Sequence, residues 1–350
     1  MTFPLKIVGL LKTKVDTTAQ FKITINTALG TGNNFQLPLP SGQTYNFVVY
    51  WGDGNFDTIT AYNQAETLHS YSSGGVYQIT IDGKCGGWSF DNGVDKLKIT
   101  YVNQWGNVGL DFFSYAFYGC SNLTSIASDG IKSSSILSMS RAFRETSITS
   151  IPSGLFDNVS DISDCVETFY SCPITSIPSG LFDNAPSINS FSSCFYSTNI
   201  TSIPTDLFRY NTSVTSFVNC FVFTNITSIP TDLFRYNTLV VNFQGVFQLC
   251  YYLTSIPENL FYYNTLVTNY SYAFYYCRNI TLPSIIFNTS NLSIVTNFNY
   301  YMAAASTSYS NTGTTQDIWN YATSATSLNA FINQTSITNY ASIPNGWKGL

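Results

Sequence analysis

An antiparallel β-sandwich followed by an α/β solenoid of about 26-residue units is the architecture that these 350 residues predict. Two observations carry it. The phrase "NITSIPTDLFRYNT" begins at Asn199 and again at Asn225, with close variants elsewhere. Before residue 96 that period is absent, and apolar and polar residues alternate instead.

The N-terminal unit, residues 1–95, contains "FKITI", "YNFVVYW", "FDTITAY" and "VYQITIDG", separated by Gly, Pro and Asn clusters. Period-two alternation between turn residues predicts short antiparallel strands with one buried face. The opening "MTFPLKIVGLLKTKVDTTAQ" has a short apolar run and no small-residue cleavage site, so no signal peptide is expected.

The repeats span 96–305, about eight units. Taking the Ile of "IP" as position zero, the phrase starts at Ile151, Ile177, Ile203, Ile229, Ile256 and Leu282, in steps of 26, 26, 26, 27 and 26. A period this regular means that one supersecondary unit stacks on the next. "ITSI" before Pro is short and β-branched and predicts a strand, so that stacked copies would build a parallel sheet roughly 35–40 Å long. Apolar columns at plus eleven, fourteen, eighteen and twenty-one, such as Val214, Phe217, Phe221 and the Cys120, Cys172, Cys250, Cys277 series, follow helical spacing. They predict a short helix with one buried stripe. Extended backwards, the register places Ile99 and Ile126 at zero, the latter unit one residue short. Residues 306–350 lose the pattern and read as an irregular C-terminal cap, with a last degenerate strand near Ile337.

Composition excludes several functions. Only 9% of residues are charged and the net charge is -5, so there is no electrostatic footprint for nucleic acid. No run approaches the 18 apolar residues of a membrane span. The eight cysteines fall beside the apolar stripe and read as small buried hydrophobes, since no CxxC occurs and there is one His. No metal and no cofactor are expected. Asp53, Asp57, Glu66 and Asp82 do not have the spacing of a calcium loop. Asp157, Asp161, Asp164 and Glu167 read as the polar face of one helix rather than a carboxylate pair. His69 lacks a nucleophile motif and reads as packing or hydrogen bonding beside Tyr71. The chain is therefore expected not to be an enzyme.

The run "LTSIPENLFYYNTLVTNYSYAFYYC", with "AF-x-x-C" endings in "YAFYGCSNLTSI" and "YAFYYCRNITL", resembles leucine-rich repeats of the BspA-like kind, found on bacterial surface proteins and in bacteriophage proteins. The Pro after the strand Ile departs from that pattern. The stretch "VVYWGDG" followed by "LHSYSSGGVYQITI" resembles a PKD-type, Ig-like β-sandwich through Trp51, Gly52, Asp53, Gly54, His69, Tyr71, Gly75 and Tyr77. These resemblances imply a leucine-rich-repeat solenoid behind an Ig-like module, with adhesion or recognition as the task.

The candidate binding residues are those that repeat without being core. Plus six and plus seven hold Arg209 and Tyr210, Arg235 and Tyr236, then Tyr262 and Tyr263, where earlier units have Asp157-Asn158 and Asp183-Asn184. Tyr rings offer rigid amphipathic contact area at low entropy cost. The plainer account is that Arg and Tyr stack on their neighbours to order the turn. A Thr-Ser ladder within "ITSI" is the second candidate. The expected function is a non-enzymatic virion component, a bacteriophage fibre, decoration or host-attachment protein on the virion surface. Its partners would be other virion proteins, through the N-terminal unit, and a host surface glycan or protein. The alternatives are a bacterial cell-surface adhesin or an intracellular repeat scaffold.

Overall fold

A computed structural model describes residues 17–133, 135–278, 280–303 and 311–349, so the reading of the first sixteen residues lies outside the described residues. The N-terminal alternation becomes strands β1 (Phe21–Asn26), β2 (Asn34–Gln36), β3 (Tyr45–Tyr50), β4 (Phe56–Ile59), β5 (Leu68–Ser70) and β6 (Val76–Cys85), joined by β7 (Ile99–Gln104). Five of them form an antiparallel sheet in the order β4-β3-β6-β1-β7, and β2 pairs with β5 separately. The register sets Ile23 opposite Ile79 and Ile25 opposite Tyr77, which puts the buried Phe21, Ile23 and Ile25 on one face. Two antiparallel sheets are compatible with a β-sandwich.

β7 joins the two parts of the chain. Ile99, the expected zero position of the first repeat, lies in this strand and pairs with β1 across an irregular register. On its other side Tyr101 makes a parallel bridge to Ser125, and the Val102 amide donates to the Ser125 carbonyl at 3.0 Å. The apolar core crosses the same joint: Trp105 stacks on Phe21 at 6.0 Å and meets Phe113, Phe117 and Phe143 edge-on. Lys98, just ahead of β7, is fully buried.

The expected α/β leucine-rich-repeat solenoid is overturned. Between residues 105 and 280 the described residues form neither an α-helix nor a 3-10 helix; among all the described residues the only α-helical turn is α1 (Asn345–Lys348). The "ITSI" segments do not build the expected long parallel sheet either. Among the described residues only β8 (Thr281–Leu282) and β9 (Thr312–Gly313) pair as parallel strands there, and the other parallel pairings between units are isolated bridges. The strand near Ile337 is likewise absent, replaced by turns and α1.

The physical reason lies in where the backbone amides go. In the units of Ile151 to Ile256 the residues at plus fourteen, sixteen, eighteen and twenty donate to the next unit. Thus Phe217, Asn219, Phe221 and Phe223 bond the carbonyls of Asn242, Gln244, Val246 and Gln248 at 2.8–3.1 Å. The amides between them close local turns, as from Cys220 to Phe217 and from Val222 to Asn219. The first of these turns, Phe217–Cys220, has φ > 0 at its third residue, Asn219. Glu167, Ser171, Ser193, Ser197, Asn219 and Phe223 all adopt it, with φ of 53–56°. Left-handed residues four apart cannot belong to an α-helix. From Ser138 to Asn269 the residue just ahead of these turns in each unit is Ser, Asp or Asn, whose side chain accepts the amide two residues on, as from Gln244 to Asn242 at 2.9 Å. That local bond competes with helix formation. The strands fail because each "TSIP" offers few donors: Thr227 bonds Thr201 at 3.2 Å, and the Pro two residues after Ser has no N–H.

The aromatic columns hold these turns in register. Phe143, Phe169, Phe195, Phe221, Phe247 and Phe274 stack in series at 5.6–5.7 Å with planes within 16°. At the C-terminal end Phe331 donates its amide to the Trp347 carbonyl at 2.8 Å and stacks on that indole at 6.3 Å.

Candidate functional site

The Arg and Tyr side chains of plus six and plus seven are turned outwards by what flanks them. Phe208 at plus five and Asn211 at plus eight are both buried, and the Arg209 amide closes a turn onto Asp206 at 3.1 Å. With the chain anchored on both sides, the two residues between must face solvent. Phe182, Phe208, Phe234 and Phe261 stack beneath them at 6.1–6.4 Å. Asn211, Asn237 and Asn264 form a buried ladder in which each amide nitrogen donates to two carbonyls of the preceding unit, Asn237 to Phe208 at 3.0 Å and to Asn211 at 2.9 Å. This ladder is not among the expectations drawn from the sequence; the recurrence of Asn directly after "RY" or "YY" was the available signal.

On this base the predicted residues come together as one exposed row. The Arg209 guanidinium lies 5.7 Å from the Tyr210 ring centre and 5.4 Å from that of Tyr236; Arg235 lies 5.9 Å from Tyr236 and 5.1 Å from Tyr263. Tyr262 meets Tyr263 edge-on at 5.3 Å. Each guanidinium is thus shared between a ring of its own unit and one of the next. Asp206 and Asp232 hold the two Arg at 3.6 and 3.4 Å. Tyr263 first, and Asp232 second, push the Arg235 pKa up. The four Tyr keep 38–50% of their surface exposed, enough to stack on another molecule. No family model and no curated protein matches the chain. The row borders a run of carboxylates: partial burial, then Asp206 and Asp157, push the Asp183 pKa up.

The Thr-Ser pairs, from Thr149-Ser150 to Thr254-Ser255, are exposed in all five units. Thr254 Oγ1 donates to the Thr227 carbonyl at 3.1 Å.

The acidic cluster is not the polar face of a helix. Asp164 accepts from the Val166 amide at 3.4 Å, and Glu167 is held at 2.6 Å by Arg141 and also by Arg144. Partial burial would raise the Glu167 pKa, but the two guanidinium groups bring it below its ordinary value. Arg144 also lies over the Tyr170 ring at 4.2 Å, and Tyr170 stacks on Tyr196 at 4.5 Å. This second Arg–Tyr group, on the turn side of the units, was missed because the helical reading dispersed its members.

In the N-terminal unit, His69 stacks on Trp51 at 4.6 Å, and Tyr71 meets it edge-on at 4.6 Å. Its Nε2 lies 2.9 Å from Asp53, which also accepts from the Asn55 amide. Gly52 and Gly54 have φ of 86° and 96°, which the turn carrying Asp53 requires. Asp57 accepts from the Trp51 indole at 2.7 Å, Asp82 from Gln20 and Glu66 from Gln64, so the four carboxylates do not converge. Among the described residues no group of three His, Cys, Asp or Glu is placed to hold a metal ion.

Proposed function

We propose that this chain is a non-enzymatic structural or recognition component of a virion, of the bacteriophage fibre, decoration or attachment kind. The single observation that carries the reading is the exposed Arg–Tyr row across three consecutive units, rigidly backed by stacked Phe and laddered Asn. Aromatic and Arg side chains are the residue types that supply binding energy at interfaces. The sparse charge and abundance of Tyr, Asn, Ser and Thr fit contact with a host surface glycan or protein without charge pairing. In this reading the N-terminal unit, with its resemblance to PKD-type modules, meets other virion proteins. The BspA-like resemblance favours a cell-surface adhesin as the second reading.

The test is to quantify the native protein by mass spectrometry in purified virus particles and in host-cell fractions. Stoichiometric copies in particles are expected. Recovery only from a cell envelope or cytosolic fraction overturns the proposal.

A further inference from the structure

Two units before the Arg–Tyr row begins, the same loop column lines a polar cleft of about 640 Å³, within the range of small-molecule sites. It is lined by Lys84 and Asp111 from the N-terminal side and by Lys132, Asp157, Asn158 and Ser160 from the repeats. Lys84 and Asp111 form an ion pair, and Lys84 also donates to the Gly109 carbonyl at 2.6 Å, so this pair contributes no net charge. Lys132 and Asp157 face the same space, yet neither has an ion-pair partner among the described residues. Two cations and two carboxylates make the cleft electroneutral; Asp157 Oδ1 accepts from the Asn184 amide at 3.3 Å, which leaves its Oδ2 and the Lys132 ammonium without a hydrogen-bond partner among the described residues.

The cleft exists because this unit departs from the others. It is one residue short, and counted from Ile126 it has Gly130-Ile131 where the next unit has Leu155-Phe156, with Lys132 bridged to Asn158. Removing a Phe that stacks elsewhere leaves room. Ser133 Oγ accepts from the amides of Ser135 and Ile136 at 3.0 and 3.2 Å, which fixes the loop. A second compartment of about 340 Å³ shares Asp111 and Ser135 with the first and adds the partly exposed Phe112 and Leu137. Balanced charge, amides and hydroxyls beside a small apolar wall fit a ligand whose own groups both donate and accept and which has an apolar face.

We propose that this cleft binds a neutral pyranose residue, with Lys132 donating to and Asp157 accepting from its hydroxyls, and Phe112 and Leu137 against its C–H face. The site is separate from the Arg–Tyr row and goes beyond the attachment reading. Saturation-transfer NMR on the full chain, with glucose, galactose and N-acetylglucosamine as probes and glucuronate as the anionic control, tests it. Transfer to at least one neutral sugar is expected. Losing a charged hydrogen bond, as in Lys132→Ala or Asp157→Asn, should weaken it about tenfold or more. Tyr236→Ala should leave it unchanged. Ser160→Ala, at an exposed position on the lip, should weaken it less and guards against misfolding of the other variants. The proposal is overturned by no transfer to any neutral sugar, by transfer to glucuronate alone, or by transfer that survives Lys132→Ala and disappears in Tyr236→Ala.

Discussion

The Lys98 ammonium sits 2.6 Å from the Asp95 carboxylate, with both side chains withdrawn from solvent. Lys98 also donates to the carbonyls of Thr31 and Asn34 at 2.9 and 2.8 Å, while Asp95 accepts from the Gln36 amide at 2.7 Å. The pair therefore ties β2 to the entrance of β7, where the sheet meets the repeats. Lys98→Met removes the cation and strands a buried carboxylate. A loss of about 3–5 kcal/mol is expected in urea unfolding. A loss below the range of ordinary surface substitutions would show that the pair is not needed at the joint.

The buried Asn ladder makes a second prediction. Asn237→Leu deprives the Phe208 and Asn211 carbonyls of their donor and should cost about 1–3 kcal/mol. Asn237→Asp also loses the donor and adds a buried charge. Burial raises such a carboxyl's pKa, so this variant should recover part of its stability as pH falls, as Asn237→Leu should not. Thermal melts of both variants at two pH values check the difference.

Glu167 supplies a pH dependence. Its pKa is lower in the folded chain than unfolded, so it stabilises the fold fully above the unfolded carboxyl value of about 4.3. That contribution is lost as pH falls below this value through the lower native one. Glu167→Gln should flatten the acid limb of the stability curve and lower stability at neutral pH by about 1–3 kcal/mol. An unchanged acid limb in the variant would remove Glu167 from the account.

The cysteines test the turn ladder. All eight are unpaired and buried. In the plus twenty-one column Cys120, Cys172, Cys250 and Cys277 share the place with Thr146, Thr198 and Thr224: Cys172 Sγ donates to the Phe143 carbonyl at 2.9 Å, and Thr224 Oγ1 to the Phe221 carbonyl at 3.0 Å. Burial pushes the Cys172 thiol up to about 11. Native protein should label slowly with a thiol reagent and react at all eight sites once unfolded. Cys172→Ser should be tolerated better than Cys172→Val, which is apolar but cannot donate. The opposite order would mean that only the volume matters.

For the Arg–Tyr row, each exposed cation–π pair is worth about 0.5–1 kcal/mol. Tyr236→Ala and Tyr263→Ala should lower stability by no more than this per pair and weaken attachment to host cells much more. Equal losses in both measurements would leave the row a device of the fold.

The N-terminal strands and the period were readable because both rest on side-chain burial, which hydrophobic patterning reports directly. The columns at Phe143 to Phe274 and the strand of Phe21 to Ile25 are cases in point. The helix was misread because Val214, Phe217 and Phe221 have helical spacing, and chains of tight turns can place apolar residues at the same intervals. The residues that decide between the two are left-handed, and few of those, such as Gly119, Asn219 and Gly245, belong to types that favour the conformation; Glu167, Ser193 and Tyr272 do not advertise it. The Ser, Asp and Asn column from Ser138 to Asn269 did carry the signal. The outward position of Arg209 and Tyr210 followed from their neighbours, but the sharing of each guanidinium between two units depended on loop geometry that no periodicity encodes.

The stretch from plus thirteen to plus twenty-one is nine residues long in every unit from Ser138–Thr146 to Asn269–Cys277, even where the unit around it gains or loses a residue. Since alternate amides point to the next unit and back into the turn, a single insertion there would exchange the two roles for everything downstream. The loops carry no such parity and absorb the changes in length. Growth or shrinkage of this protein can therefore proceed by copying or deleting whole units, and the near-verbatim phrases at Asn199 and Asn225 are what that mode of lengthening leaves behind.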